Sequence, residues 1–271
     1  MPSNIRVLNG NIGPRSTYKA AKIPWESRKK PLMAALTGIK GGLPGAMVFQ
    51  ECTRPMQVFL MQETGYVGFG NGINPRTRLD VDRSGDNVAI LYDPDEYSED
   101  GRRIVWAGVL GGIGRTYTRA IKLRRKGTTD SFWLATTHPP AGSSYKTLRM
   151  KHARTMAKLL NTVAGGIDLK DLVWGGDWND PTPYPERGVR TLLENEFKLR
   201  DIERLLSADA FEGNSTNSSH GFKPTRHTGR KIDFIVIGGK IRARYARMIR
   251  TDVAPNRWAC DHNLLVAGLT I

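Results

Sequence analysis

A chain of 271 residues with 39% hydrophobic side chains can bury a sizeable core, and its sequence holds no apolar run long enough to cross a bilayer. Its 41 Lys and Arg against 26 Asp and Glu leave a formal charge of +15, a field that attracts polyanions, nucleic acid foremost. Two cysteines, Cys52 and Cys260, are too few for a disulfide framework, and no zinc-type Cys/His cluster surrounds either one. The N-terminus lacks the layout of a signal peptide, so the expectation is a cytoplasmic protein with reduced thiols.

Short apolar runs rich in β-branched residues, each bounded by Gly, Pro, Asn or Asp, predict strands. In chain order they fall at 5–8, 46–49, 88–92, 104–109, 120–123, 132–137, 172–174, 232–237 and 264–269. Helical spacing predicts a helix over 25–39, where Leu32, Leu36 and Ile39 share a face. A second is predicted over 145–163, with Leu148, Met156, Leu159, Leu160 and Val163 inward and Lys146, Arg149, Lys151, Arg154 and Lys158 toward solvent. A third is placed near 186–196. The basic residues recur throughout, Arg28-Lys29-Lys30 among them, rather than in a tail, and a merely solvated basic surface is the other reading of this charge.

Two stretches, 64–87 and 207–230, are long and irregular for a compact domain. They carry Arg76, Arg83 and Arg226, candidate phosphate contacts. Gly111-Gly112-Ile113-Gly114 lacks the Lys-Ser/Thr of a phosphate loop and reads as a hairpin turn between strands. No repeat or linker divides the chain, so one domain is expected over 1–271. Strands mixed with helices, several strands adjacent in sequence, predict two packed sheets with helices outside.

The informative pattern is what ends the strands. The first apolar run finishes in Asn9-Gly10-Asn11, the second in Gln50-Glu51, the run at 132–137 in His138, and the run at 172–174 in Gly175-Gly176-Asp177-Trp178-Asn179. Asp233 lies in the segment around Ile232, and Asp261-His262-Asn263 precedes the last run. Any one of these is explained as turn chemistry; six together are not. Glu51 and the aspartates offer the hard oxygens that Mg²⁺ or Mn²⁺ prefers. Asn11 and Asn179 hold a phosphate oxygen or a water without adding charge, and His138 and His262 donate to phosphate or move protons near neutral pH. The inventory suits water attacking a phosphoester beside a hard cation. Trp178 and Trp258 flank two of these positions and are candidate stacking surfaces for a base, core packing being the other reading.

Taken in order, Asn11-Ile12, Gln50-Glu51, Thr137-His138, Gly176-Asp177-Trp178-Asn179, Ile232-Asp233-Phe234-Ile235 and Asp261-His262 resemble the motifs of the endonuclease/exonuclease/phosphatase superfamily, the deoxyribonuclease I-like phosphoesterases. The resemblance implies a four-layered α/β sandwich, two packed mixed β-sheets flanked by helices. It also implies that Glu51 ligates the metal with Asn11 beside it, and that Asp177 and Asn179 orient the attacking water and the phosphate. His262 would then be the general base with Asp233 as its partner, Asp261 would serve metal or imidazole, and His138 would bind phosphate or act as general acid. The implied cofactor is Mg²⁺, with Mn²⁺ as a substitute. The chain departs from the pattern at Gly45-Ala46, where an acidic residue often stands, at Cys260 in place of a Ser, and at Pro139-Pro140-Ala141-Gly142 after His138. Asp86 reads as a turn acid rather than a support for His138.

The expected function is metal-dependent hydrolysis of nucleic acid, DNA more than RNA, with no membrane association and no obligate protein partner. The alternatives are a soluble phosphatase for inositol phosphates or nucleotide second messengers, and a non-catalytic nucleic-acid-binding protein on the same fold.

Overall fold

Strand β1 (Asn4–Asn11) shows how the sequence builds its layers, because buried apolar side chains lie on both of its faces. Ile5 and Val7 pack with one cluster, while Leu8 packs with another. A strand covered on both faces belongs inside a layered fold. The computed structural model describes residues 3–13, 24–69, 88–110, 113–162, 169–183, 185–213, 218–219, 231–254 and 257–271.

The helices are α1 (Trp25–Thr37), α2 (Arg54–Thr64), α3 (Lys146–Thr162), α4 (Val189–Phe197) and the short α5 (Ile202–Leu205). After β1 come β2 (Ala46–Gln50), β3 (Val67–Phe69), β4 (Val88–Tyr92), β5 (Tyr97–Leu110), β6 (Ile113–Arg125), β7 (Ser131–His138) and β8 (Leu172–Asp177). The remaining strands are β9 (Arg200–Asp201), β10 (Phe211–Glu212), β11 (Asp233–Ile237), β12 (Arg242–Ile249), β13 (Asp252–Ala254), β14 (Arg257–Trp258) and β15 (Leu264–Thr270). One sheet has seven strands in the order β10-β12-β15-β1-β2-β4-β3, and the other has six in the order β5-β6-β7-β8-β11-β9. Both are mixed: β1 and β2 run parallel, as do β7 and β8, while β15 and β11 run antiparallel to their neighbours.

Between the sheets lies a core that includes Val7, Val48, Ile90, Phe132, Leu134, Val173, Ile235 and Leu265. Each such side chain contributes about 1.5–3 kcal/mol by leaving water. Leu32 and Leu36 of α1 and Met56 and Leu60 of α2 cover the outer face of the seven-stranded sheet. Ala153, Met156 and Leu160 of α3 and Leu192 and Leu193 of α4 cover the outer face of the other. The result is the four-layered α/β sandwich that the motifs imply.

Several expectations need correction. Helix α3 forms where predicted, but its buried face includes Arg149 and His152, so Arg149 is not on the solvent side. Arg28 of the first basic cluster is fully buried. Helix α2 was not predicted, although Thr53 at its N-cap, Pro55 in its first turn and Gly65 in the left-handed conformation at its end all mark it. Strand β12 also went unforeseen, since its Arg242, Arg244 and Arg247 interrupt any apolar run. Strands β5 and β6 are longer than predicted and register Leu110 against Ile113, which agrees with a hairpin between them.

Candidate active site

Parallel neighbours carry their C-terminal ends to the same edge, and antiparallel neighbours bring their N-terminal ends there. Asn11 ends β1, Glu51 follows β2, His138 ends β7, and Asp177 ends β8. Asp233 opens β11 directly opposite Asp177, and Asp261-His262 leads into β15. Six stretches separated in sequence thus meet at one end of the two sheets.

Close approach of the sheets there depends on small residues. A Cβ on Gly175 would lie 2.8 Å from Val48 Cγ2 and 2.9 Å from Asn9 Oδ1, so the cross-sheet contact needs glycine. Gln50 Nε2 bridges the same seam, donating to Asn9 Oδ1 at 3.0 Å and Thr136 Oγ1 at 2.8 Å. Gly13 fills an analogous need, since a Cβ at that position would meet the Glu51 backbone oxygen at 2.3 Å. Glu51 itself has φ 51°, a left-handed conformation that costs a non-glycine residue about 1 kcal/mol or more.

Asp177 is the hub. Its Oδ2 accepts from Asn11 Nδ2 at 3.0 Å and lies 3.5 Å from His138 Nε2 and 3.9 Å from His262 Nε2. Its Oδ1 accepts from the Asn179 backbone N–H at 2.9 Å. Asn11 Nδ2 also reaches Glu51 Oε1 at 3.2 Å, and His138 Nε2 stands 3.8 Å from that oxygen. Asn179, left-handed at φ 52°, donates from Nδ2 to Pro139 O at 2.9 Å, tying the Asp177 turn to the segment after His138. On the far side, His262 Nδ1 and Asp233 Oδ2 are 2.8 Å apart, and Ser218 Oγ accepts from the Asp233 backbone N–H at 2.9 Å.

The electrostatics divide these groups. Burial pushes Glu51 up to about 7, with Asp261 adding to the rise and His138 and Asn11 opposing it. Burial would also raise Asp177, yet the hydrogen bond to His138, the charge of both imidazoles and Asn11 hold it below the ordinary aspartate range. Burial would lower His262, but Asp233, Asp261 and Asp177 raise it well above the usual histidine value. Burial pushes Asp233 upward as well, so the pair retains a proton tightly.

Two groupings have metal-binding chemistry. Asp177, Asp233 and His262 offer ligand atoms within 4.8 Å of one another; Asp233 Oδ2 is paired with His262 Nδ1, while Asp233 Oδ1 is buried without a hydrogen-bond partner among the described residues. Glu51 and Asp261 form the second grouping, made of carboxylates alone. Glu51 is a partly buried carboxylate with its affinity for protons raised, and Asp261 Oδ1 is buried without a hydrogen-bond partner among the described residues. Carboxylate oxygens are the donor type that hard cations prefer.

The structure therefore brings together Asn11, Glu51, His138, Asp177, Asn179, Asp233, Asp261 and His262. It does not place Trp178 with them as a stacking surface. Trp178 is fully buried, stacks on Phe234 with centroids 5.1 Å apart, and donates Nε1 to Phe234 O at 3.2 Å. Its core role follows from the register, which turns it toward α3 and α4. Arg76, Arg83, Arg226 and Asp86 lie outside the described residues, as does the side chain of Trp258.

Supporting residues outside the motifs brace these groups. His152 Nε2 lies 2.6 Å from Thr137 Oγ1, directly behind His138, and burial first, then His138, pushes its pKa down to about 3, so it is neutral. Arg149 Nη1 donates to Gly142 O at 2.6 Å and Pro140 O at 3.4 Å, bracing the proline segment after His138. Asp180 accepts from the Val189 backbone N–H at 2.5 Å and anchors the start of α4 to the Asp177 turn.

No family model matches the chain, and neither does any curated protein. Solved structures match over nearly the full length. An endonuclease/exonuclease/phosphatase from Bacteroides vulgatus is 18% identical with a TM-score of 0.79, covering 98% of each chain. A mannosyl-6-phosphatase from Bacteroides thetaiotaomicron is 16% identical with a TM-score of 0.78, covering 98% of this chain and 100% of its own. TDP2 from D. rerio, complexed with a single-strand DNA product, is 12% identical with a TM-score of 0.72, covering 99% of this chain and 100% of its own. At these identities the likeness establishes the fold: the chain has the deoxyribonuclease I-like architecture.

Proposed function

We propose that the protein is a metal-dependent phosphoesterase that hydrolyses nucleic acid. The observation that carries the reading is Asp177, held ionised between two imidazoles and an amide at the edge where both sheets end. That constellation suits activation of water beside an anionic phosphate. The Asp233–His262 pair would take the proton from the attacking water. Asp177 would orient that water, with Asn179 holding a phosphate oxygen. His138 would donate to the phosphate or to the departing oxygen. Glu51 and Asp261, with Asn11 alongside, would hold Mg²⁺ or Mn²⁺, which would supply charge for the developing negative oxygen.

A positioned acid or base contributes about 10²–10⁴-fold, far less than the slowest phosphoester hydrolyses demand. Fixed electrostatics must contribute most, and a site with this many buried polar groups is built to do so. Nucleic acid is favoured over a small phosphate by the net charge of +15, and by the complex of TDP2 with single-strand DNA product. A phosphatase for a small phosphate monoester is the second reading, favoured by the mannosyl-6-phosphatase likeness.

The test is cleavage of supercoiled plasmid, single-stranded DNA, RNA and 4-nitrophenyl phosphate esters with Mg²⁺, Mn²⁺ or EDTA, beside Asp177→Ala and His262→Ala. The reading requires polymer cleavage that disappears in EDTA and in both variants. Cleavage of the small monoester alone supports the phosphatase. Polymer binding without any turnover, unaffected by EDTA, would mean a binding protein on an enzyme fold.

A further inference from the structure

Arg28 lies in the first turn of α1, on the face that also carries Leu32 and Leu36, and none of it is exposed. An arginine there is costly. Removing a guanidinium from water carries a penalty of several kcal/mol, whereas an apolar side chain would fill the same space as Leu32 does. Its surroundings explain its presence. Nη1 donates to Ile12 O at 2.8 Å and to Ala259 O at 3.1 Å, and the guanidinium lies over the Trp25 ring, 5.2 Å from its centroid.

The two carbonyls belong to different turns. Ile12 follows Asn11 and its backbone N–H donates to Gln50 O at 3.1 Å, so it travels with the Asn11 and Glu51 half of the site. Ala259 stands two residues before Asp261, on the half that holds Asp261 and His262. One planar group therefore clamps both halves from behind. The negative charges of Asp261 and Glu51 also act on the same guanidinium. Both bonds come from the one nitrogen Nη1, which the planar guanidinium over Trp25 holds in place, whereas a lysine would have to bring its ammonium there on a flexible stem.

We propose that Arg28 is a positioning residue: by bridging Ile12 O and Ala259 O it sets the separation of Glu51 and Asp261, and thereby the affinity of that carboxylate pair for a divalent cation. The proposal rests on the reading of Glu51 and Asp261 as metal ligands, and a separate variant tests that premise.

The experiment uses the full chain and Mn²⁺ alone as probe, with its dissociation constant measured by electron paramagnetic resonance for wild type, Glu51→Gln, Arg28→Lys and Arg28→Met. Thermal unfolding in EDTA and kcat and KM on a 4-nitrophenyl ester accompany it. Arg28→Lys is expected to weaken Mn²⁺ about tenfold, in the range for residues that orient metal ligands, with kcat reduced and KM little changed. Glu51→Gln should weaken it more. A folded Arg28→Lys that binds Mn²⁺ within twofold of wild type overturns the proposal, even if its melting temperature drops, because a purely structural role would lower stability alone. Should Arg28→Met fail to fold, Arg28→Lys still decides the matter. Undiminished Mn²⁺ binding in Glu51→Gln would instead remove the premise and the proposal with it.

Discussion

The Asn11 side-chain amide donates to Asp177 Oδ2 at 3.0 Å, joining the end of β1 in one sheet to the end of β8 in the other. The same nitrogen reaches Glu51 Oε1, so one neutral donor separates two carboxylates. Hydrogen bonds to charged groups contribute roughly 1.5–3 kcal/mol, which converts to about 10- to 150-fold. Asn11→Ala should lower kcat on a phosphodiester within that range. Asn11→Asp should be worse, since it places a third negative group between the other two. Steady-state rates at saturating Mg²⁺ check both, and an Asn11→Asp enzyme as active as Asn11→Ala would contradict the electrostatic account.

Glu51 makes metal binding and stability depend on pH in a definite direction. Its carboxyl titrates at about 7 in the fold against 4.5 for a free side chain, with burial as the main cause. Between those values the folded chain keeps a proton that the unfolded chain has lost. Metal-free protein should therefore lose stability as pH rises from about 4.5 through about 7, by on the order of 3 kcal/mol in all. Glu51→Gln should flatten that part of the profile in EDTA and stabilise the metal-free protein at pH 8. Mn²⁺ should bind wild type more tightly as pH approaches 7, with proton release. Denaturant unfolding in EDTA at several pH values decides it: parallel profiles for wild type and Glu51→Gln would refute the shift.

The residues of the candidate site stand out in the sequence because buried strands have to end, and the residues that end them here are polar. Asn11, Gln50, His138 and Asp177 sit where apolar runs stop, so reading the boundaries found them. What escaped was polar chemistry inside apolar patterns. Arg149 and His152 fall on the stripe 149, 152, 153, 156, 157 and 160 that α3 buries, and Arg28 falls on the stripe with Leu32 and Leu36. Their spacing points inward, while a basic side chain on a helix ordinarily faces water, as expected of Arg149. Of the two readings of Trp178 the core one agrees with its burial, since alternation turns it to the other face although Asp177 and Asn179 flank it. Fixing which of two buried faces a residue occupies requires the partner strand, and sequence alone does not supply it.

Trp178 offers a clean separation of stability from substrate binding. Its ring fills a core shared with Trp174 and Phe234, at centroid distances of 4.8 Å and 5.1 Å. Trp178→Ala should cost about 3–5 kcal/mol, as truncation of a buried tryptophan does. Trp178→Phe keeps the stack and loses the Nε1 bond to Phe234 O, a change of roughly 1 kcal/mol. KM for a polymer substrate should be unchanged in Trp178→Phe. A rise of tenfold with stability intact would return Trp178 to the substrate surface.

Asp233 should govern the acid side of the pH–rate profile. With Asp233 as a carboxylate, the 2.8 Å contact makes His262 Nδ1 the donor and leaves Nε2 to accept a proton. Burial disfavours the charged imidazole, yet Asp233 and the neighbouring aspartates hold His262 well above the ordinary value. A base must be neutral to act, so kcat/KM should fall as pH drops through the His262 value. Asp233→Asn removes the largest source of that rise, and the acid limb should move to lower pH. The plateau should fall at the same time, by about 10²–10⁴-fold, because the amide no longer fixes the tautomer or stabilises the imidazolium. A lowered plateau with an unmoved limb would mean that Asp233 orients His262 without setting its charge. An unchanged plateau would mean that His262 is not the base.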